Sequence, residues 1–112
     1  MEPEQDVMDV SDGDIAQMRE SAGEAARFLK AIGHEGRLML LCHLVEGEKS
    51  VTELEHLLGS RQAAVSQQLA RLRAENLVAP RRDGKTIYYR LADRKVQTML
   101  DCVHGLFCKT HT

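Results

Sequence analysis

Proline occurs only at Pro3 and Pro80, so residues 4 to 79 are free of the residue that most strongly forbids a helix. A proline in a helix interior costs about 3 kcal/mol, through a lost N–H and a clash with the preceding turn. Helices can therefore run through this stretch, and its abundance of Leu and Ala favours them. With 112 residues, 43% of them hydrophobic and 4% aromatic, the chain has enough apolar material for one core.

Spacing and punctuation divide that stretch into four helices. Ile15, Met18, Ala22, Ala25, Leu29 and Ile32 alternate steps of three and four, a narrow apolar seam suited to a second helix or a second subunit. Gly33 and Gly36 predict a break. Leu38, Leu41, Cys42 and Val45 then mark one face of a second helix ending at Gly47. Ser50 to Glu53 has capping-box spacing, opening a third helix that Gly59 ends, and Ser60 is the next candidate cap. Val65, Leu69 and Leu72 hold a fourth helix to the core. From Ala79 to Leu91 the period changes to two, with Asp83-Gly84 as the expected hairpin turn and Arg81, Arg82 and Lys85 around its tip. Helical spacing returns with Val96, Met99, Leu100, Val103 and Phe107.

Charge separates along the chain. Residues 1 to 24 carry eight acids and one base, whereas residues 61 to 95 carry nine bases and three acids, although the net charge is only -2. The basic segment has the sign that phosphate contacts require. On the fourth helix the core stripe leaves Ala63, Gln67, Ala70 and Ala74 at the opposite pole, flanked by Ser66, Gln68, Arg71 and Arg73. Alanines allow close approach to a groove, while Gln, Ser and Arg can bond base edges or phosphates. A short helix, a second helix with this face and a basic-tipped strand pair follow in the order of a winged helix-turn-helix. The fold class is thus mainly α with a small β-hairpin. Reading two half-sites would double the phosphate contacts, so a homodimer through the first and last helices on double-stranded, inverted-repeat DNA is expected. Residues 1–13 are expected to form an acidic flexible tail, and 14–112 one domain.

Enzyme chemistry finds no support: no nucleophile and base stand in a recognisable arrangement, and no glycine loop could cradle phosphate, so no cofactor is expected. No stretch approaches a spanning helix and the amino terminus is acidic, which predicts a cytoplasmic protein without a membrane partner. Three cysteines, Cys42, Cys102 and Cys108, cannot all pair within one chain. Cys102 reads as packing; it and Cys108 project about 240° apart on a helix. Asp101, His104, Cys108 and His111, with His43 beside Cys42, offer a loosely spaced zinc-type alternative, but solvated histidines near a terminus are the commoner explanation.

The strings Arg37-Leu-Met-Leu-Leu-Cys42, Ser50-Val-Thr-Glu-Leu-Glu55, Ala64-Val-Ser-Gln-Gln-Leu-Ala-Arg-Leu-Arg73 and Gly84-Lys-Thr-Ile-Tyr-Tyr-Arg-Leu91 closely resemble the ArsR family of bacterial winged-helix repressors. The resemblance spans nearly all of residues 22 to 108. It implies a homodimer that leaves DNA when an inducer binds. DNA contacts are implied from Gln62, Ser66, Gln67, Gln68 and Arg71, and the wing tip, including Arg82, Lys85 and Thr86, is implied to lie on the flanking minor groove. The family's thiolate metal motif in the third helix is missing: Glu53-Leu54 is followed by Glu55, His56 and Leu57. Cys42 late in the second helix and Cys108 near the end of the last resemble instead the SqrR, BigR and HlyU-type subgroup. That likeness implies that the two thiols meet and sense persulfide or polysulfide. A metal or a general oxidant is the alternative inducer.

Overall fold

The computed structural model describes residues 12–59 and 61–108. Residues 1–11, 60 and 109–112 lie outside this range, and with them most of the expected acidic tail, the expected cap Ser60 and His111. By internal contacts the chain divides into two units, Met1–Lys30 and Ala31–Thr112. The first holds most of helix α1 (Asp12–Ile32), which begins two residues inside the stretch expected to be tail. Ile15, Met18 and Leu29 on its seam are exposed.

The second unit contains the remaining elements: α2 (Glu35–Val45), β1 (Lys49–Ser50), α3 (Val51–Leu58), α4 (Gln62–Ala74), β2 (Val78–Asp83), β3 (Thr86–Leu91) and α5 (Arg94–Phe107). Helix α2 starts earlier than its glycines suggest. His34 is its N-cap, with Nδ1 accepting the Arg37 N–H at 3.3 Å, so Gly36 is helical and does not break the chain. The buried face of α2 is Leu40, Leu41 and Leu44, rotated from the expected one; Leu38 is half-buried, and Cys42 and Val45 are exposed beside it.

The capping box at α3 forms as its spacing predicts. Ser50 Oγ accepts the Glu53 N–H at 3.0 Å, and Glu53 Oε1 accepts the Ser50 N–H at 2.7 Å. Gly59 closes α3 at φ 63°, a left-handed conformation that glycine adopts without the Cβ penalty. The N-cap of α4 is Arg61, which makes no side-chain cap bond, instead of the expected Ser60. Val65, Leu69 and Leu72 are buried as expected, together with Leu54, Leu77, Val78, Val96 and Leu100. Side chains of this size contribute about 1.5–3 kcal/mol each on burial, which fixes α4 against the rest of the unit.

Strands β2 and β3 pair antiparallel from Val78↔Leu91 to Asp83↔Thr86, so the two-residue turn is Gly84-Lys85, one position later than expected. Gly84 takes φ 64°, as a glycine-first hairpin turn requires. A third strand, not foreseen, pairs Lys49↔Tyr89 and Ser50↔Tyr88 and gives the sheet the order β1-β3-β2. On α5, Asp93 accepts the Lys95 N–H at 2.9 Å, and Val96 and Leu100 are buried with Met99 and Val103 half-buried. Cys102 falls off that stripe and is exposed, contrary to its reading as a packed residue; Phe107 lies in line with the stripe yet is 78% exposed.

Candidate nucleic-acid interface and cysteine pair

Helix α4 turns about 100° per residue, so its outer surface divides into three tracks. Ala63, Gln67 and Ala74 occupy the pole opposite the core and are exposed. On one flank, Ser66, Ala70 and Arg73 face the wing across an open groove lined also by Lys85, Thr86 and Tyr89. On the other flank stand Gln68 and Arg71, both half-buried. Gln68 lies against α2, where a Cβ on Gly36 would come within 3.1 Å of Gln68 Cδ and closer still to Nε2. Gly36 therefore keeps room for the amide. Arg71 lies close enough to Arg37 that its charge, after burial, depresses the Arg37 pKa. Arg37 Nε donates to the Ala31 carbonyl at 2.6 Å. Only the backbone of Gln62 is described, at the first turn of α4.

The expected contact residues thus share one helix but not one face. Ser66 and Gln67 are open to solvent, whereas Gln68 and Arg71 lean toward α2. Arg82, Lys85 and Thr86 are exposed at the wing tip. Arg81 has a different role. Its Nε and Nη2 donate to Glu48 Oε2 and Oε1 at 2.9 and 2.7 Å, and its guanidinium lies 4.6 Å from the Tyr88 ring centroid. This bidentate pair raises the Arg81 pKa and lowers that of Glu48, chiefly by the hydrogen bonds. It ties the wing to the loop after α2, and the side chain is occupied within the protein. Arg73, in contrast, belongs to the groove, although the helical wheel gave it no priority over Arg71; only the position of the wing distinguishes the two flanks.

Cys42 lies in the last turns of α2 and Cys108 caps α5, its N–H donating to the His104 carbonyl at 2.8 Å. Both are exposed. The Cys42 thiol is pushed above its ordinary 9.0, first by the protein packed around it and second by the negative charge that Cys108 carries when ionised. Helices α2 and α5 pack against each other, so the two thiols, remote in sequence, stand on neighbouring helices, and the charge of one acts on the other. Among the described residues no three His, Cys, Asp or Glu side chains converge as a metal site, and no helix is long and apolar enough to cross a membrane.

Comparison with known proteins agrees with this geometry. Residues 34–79 match the family described as bacterial regulatory protein, arsR family. The chain is 42% identical over 101 residues to the biofilm growth-associated repressor of Agrobacterium fabrum, covering 90% of this chain and 86% of that one. Its fold superposes on the crystal structure of the transcriptional repressor BigR from Xylella fastidiosa with a TM-score of 0.80 at 43% identity, covering 85% and 97% of the two chains. Reduced HlyU from Vibrio cholerae is similar at TM-score 0.79 and 39% identity, covering 83% and 98%. From the helix-turn-helix, the basic wing and these likenesses together, the chain belongs to the ArsR family of bacterial winged-helix regulators, which bind DNA and are not enzymes.

Proposed function

We propose that this regulator is a dithiol repressor: as a homodimer it holds an inverted-repeat operator while Cys42 and Cys108 are thiols, and lets go when persulfide or polysulfide links them. The observation that carries this reading is that α2 and α5 pack together with an exposed thiol near the end of each, Cys42 and Cys108, and the charge of Cys108 raises the Cys42 thiol. The likeness to HlyU of Vibrio cholerae in its reduced form adds support. Exposed Ile15, Met18 and Leu29 on α1, and Leu106 and Phe107 at the end of α5, supply apolar surface for dimerisation. The operator contacts are Gln62, Ser66, Gln67, Gln68 and Arg71 in the major groove, with Arg82, Lys85 and Thr86 beside the minor groove.

The chemistry balances without any further oxidant. One cysteine thiolate attacks the outer sulfur of a small persulfide, RS–SH, giving protein Cys–S–SH and releasing RS⁻. The second thiolate then attacks the cysteine-bound sulfur, forming Cys–S–S–Cys and expelling HS⁻. Two thiols are oxidised, and the persulfide is reduced to a thiol and hydrogen sulfide. A longer bridge consumes further persulfide. Release of DNA needs the bridge to favour a dimer geometry in which the two α4 helices no longer fit successive half-sites; a coupling of about 1–3 kcal/mol changes affinity roughly 5- to 150-fold.

The test is operator affinity before and after an organic persulfide, in parallel with zinc and hydrogen peroxide, for the parent and Cys108→Ser. Release by persulfide in the parent alone supports the two-thiol switch. Release that survives Cys108→Ser refutes it, and release by zinc alone selects a metal-responsive regulator.

A further inference from the structure

The groove between α4 and the wing, about 620 Å³, is walled by Ser66, Ala70 and Arg73 on the helix and by Lys85, Thr86 and Tyr89 on the sheet. A second concavity of about 310 Å³ continues beyond Tyr89 to Arg82 and again includes Arg73. Arg73 therefore stands where the two meet. No acidic residue lines either space. Among the described residues, Arg73, Arg82 and Lys85 form no ion pair, whereas neighbouring Arg81 is bound by Glu48. Three cations without internal counterions thus border one continuous furrow whose helix wall is formed partly of alanine. Small residues leave clearance, hydroxyls of Ser66 and Thr86 can donate, and the repeated positive charge matches an anion that repeats along a line.

We propose that this furrow seats one sugar–phosphate strand of the DNA and that Arg73 is a phosphate ligand in it, acting with Arg82 and Lys85. The recognition helix then contributes in two directions: its pole to the base edges, and its wing-side flank to the backbone. Arg73 sits in the last turn of α4, so its charge also suits the helix dipole, and it is available to phosphate because nothing within the described protein neutralises it. The contact belongs to DNA binding by the reduced protein and does not depend on how the cysteines respond.

The experiment is a salt titration of the reduced full chain on a fluorescein-labelled duplex of random sequence, about 30 base pairs long, between roughly 50 and 200 mM KCl, where phosphate contacts dominate. Arg73→Gln is expected to lower the slope of log K against log salt by about 0.9 per protomer, about 1.8 for a homodimer, and to weaken binding about eightfold per lost contact near 0.1 M salt, roughly 60-fold for both. Arg73→Lys, which keeps the charge, is expected to retain the parent slope, and Arg81→Gln to leave it unchanged. An Arg73→Gln slope equal to the parent's overturns the assignment. So does an Arg73→Lys slope as low as that of Arg73→Gln, which would make the side chain structural, or an equal fall for Arg81→Gln, which would make the effect one of net charge.

Discussion

If Cys108 acts on Cys42 across the fold, removing one sulfur must change how the other titrates. A thiol titrating at 9.0 is about 1% thiolate at pH 7, and burial holds Cys42 below that share, with the Cys108 charge adding to the effect once that thiol ionises. Alkylation follows the thiolate, so in a Cys102→Ser background the rate at Cys42 should stay under about 1% of its alkaline plateau at pH 7. Replacing Cys108 by Ser removes the second cause and leaves the first. The midpoint of the rate profile should therefore fall from its parent position yet remain above that of the same thiol in the urea-unfolded chain. Because burial favours the neutral thiol, the folded state gains stability from Cys42 below the unfolded value, and that gain disappears as pH rises through the raised folded value. The assay is iodoacetamide labelling between about pH 6 and 11, quantified on the Cys42 peptide by mass spectrometry; the pair titrates as a unit, so midpoints are compared between variants. An identical Cys42 midpoint with and without Cys108 would place the sulfurs out of reach of each other and refute the bridge. A midpoint no higher than that of Cys42 in the urea-unfolded chain would refute the packing around Cys42.

Two further outcomes follow from backbone chemistry. Ser50→Ala removes the oxygen that accepts the Glu53 N–H and should cost about 1 kcal/mol in urea unfolding, whereas Glu53→Gln, which can still close the box, should cost a few tenths. Asn76 holds φ 62° just after α4, where its N–H donates to the Arg73 carbonyl at 2.9 Å; Asn76→Val should lose roughly 1–2 kcal/mol in the same measurement, and Asn76→Gly should stay close to the parent.

The elements legible in the sequence are those with local causes. Val65, Leu69 and Leu72 repeat at helical spacing and are buried; Ser50 and Glu53 stand at the distance that a capping box needs; Ile87 and Tyr89 alternate with Tyr88 and Arg90 in a strand. What escaped depends on partners distant in the chain. Strand β1 is two residues long, too short to show a period, and exists only because β3 presents Tyr88 and Tyr89 to it. Gly36 looks like a breaker in the sequence, yet it is a helical residue whose missing side chain leaves room for Gln68 from another helix. The division of α4 into a wing side and an α2 side followed from neither spacing nor composition, so Arg71 and Arg73 were equivalent until the sheet was placed. That Cys42 and Cys108 stand on neighbouring helices was implied only by resemblance, since spacing says nothing about how α2 and α5 meet.

Ser50 is at once the last residue of β1, paired with Tyr88, and the cap of α3. One backbone position thus welds the sheet to the start of the helix-turn-helix, while the Arg81 to Glu48 link adds a second rivet on the wing. Both links tie the sheet to the segment between α2 and α3, so the wing and the start of the helix-turn-helix share their anchorage. In the proposed homodimer, an inducer would then act by changing the distance or the angle between the two reading heads, each a helix with its wing, with the spacing of operator half-sites as the ruler against which that movement is measured.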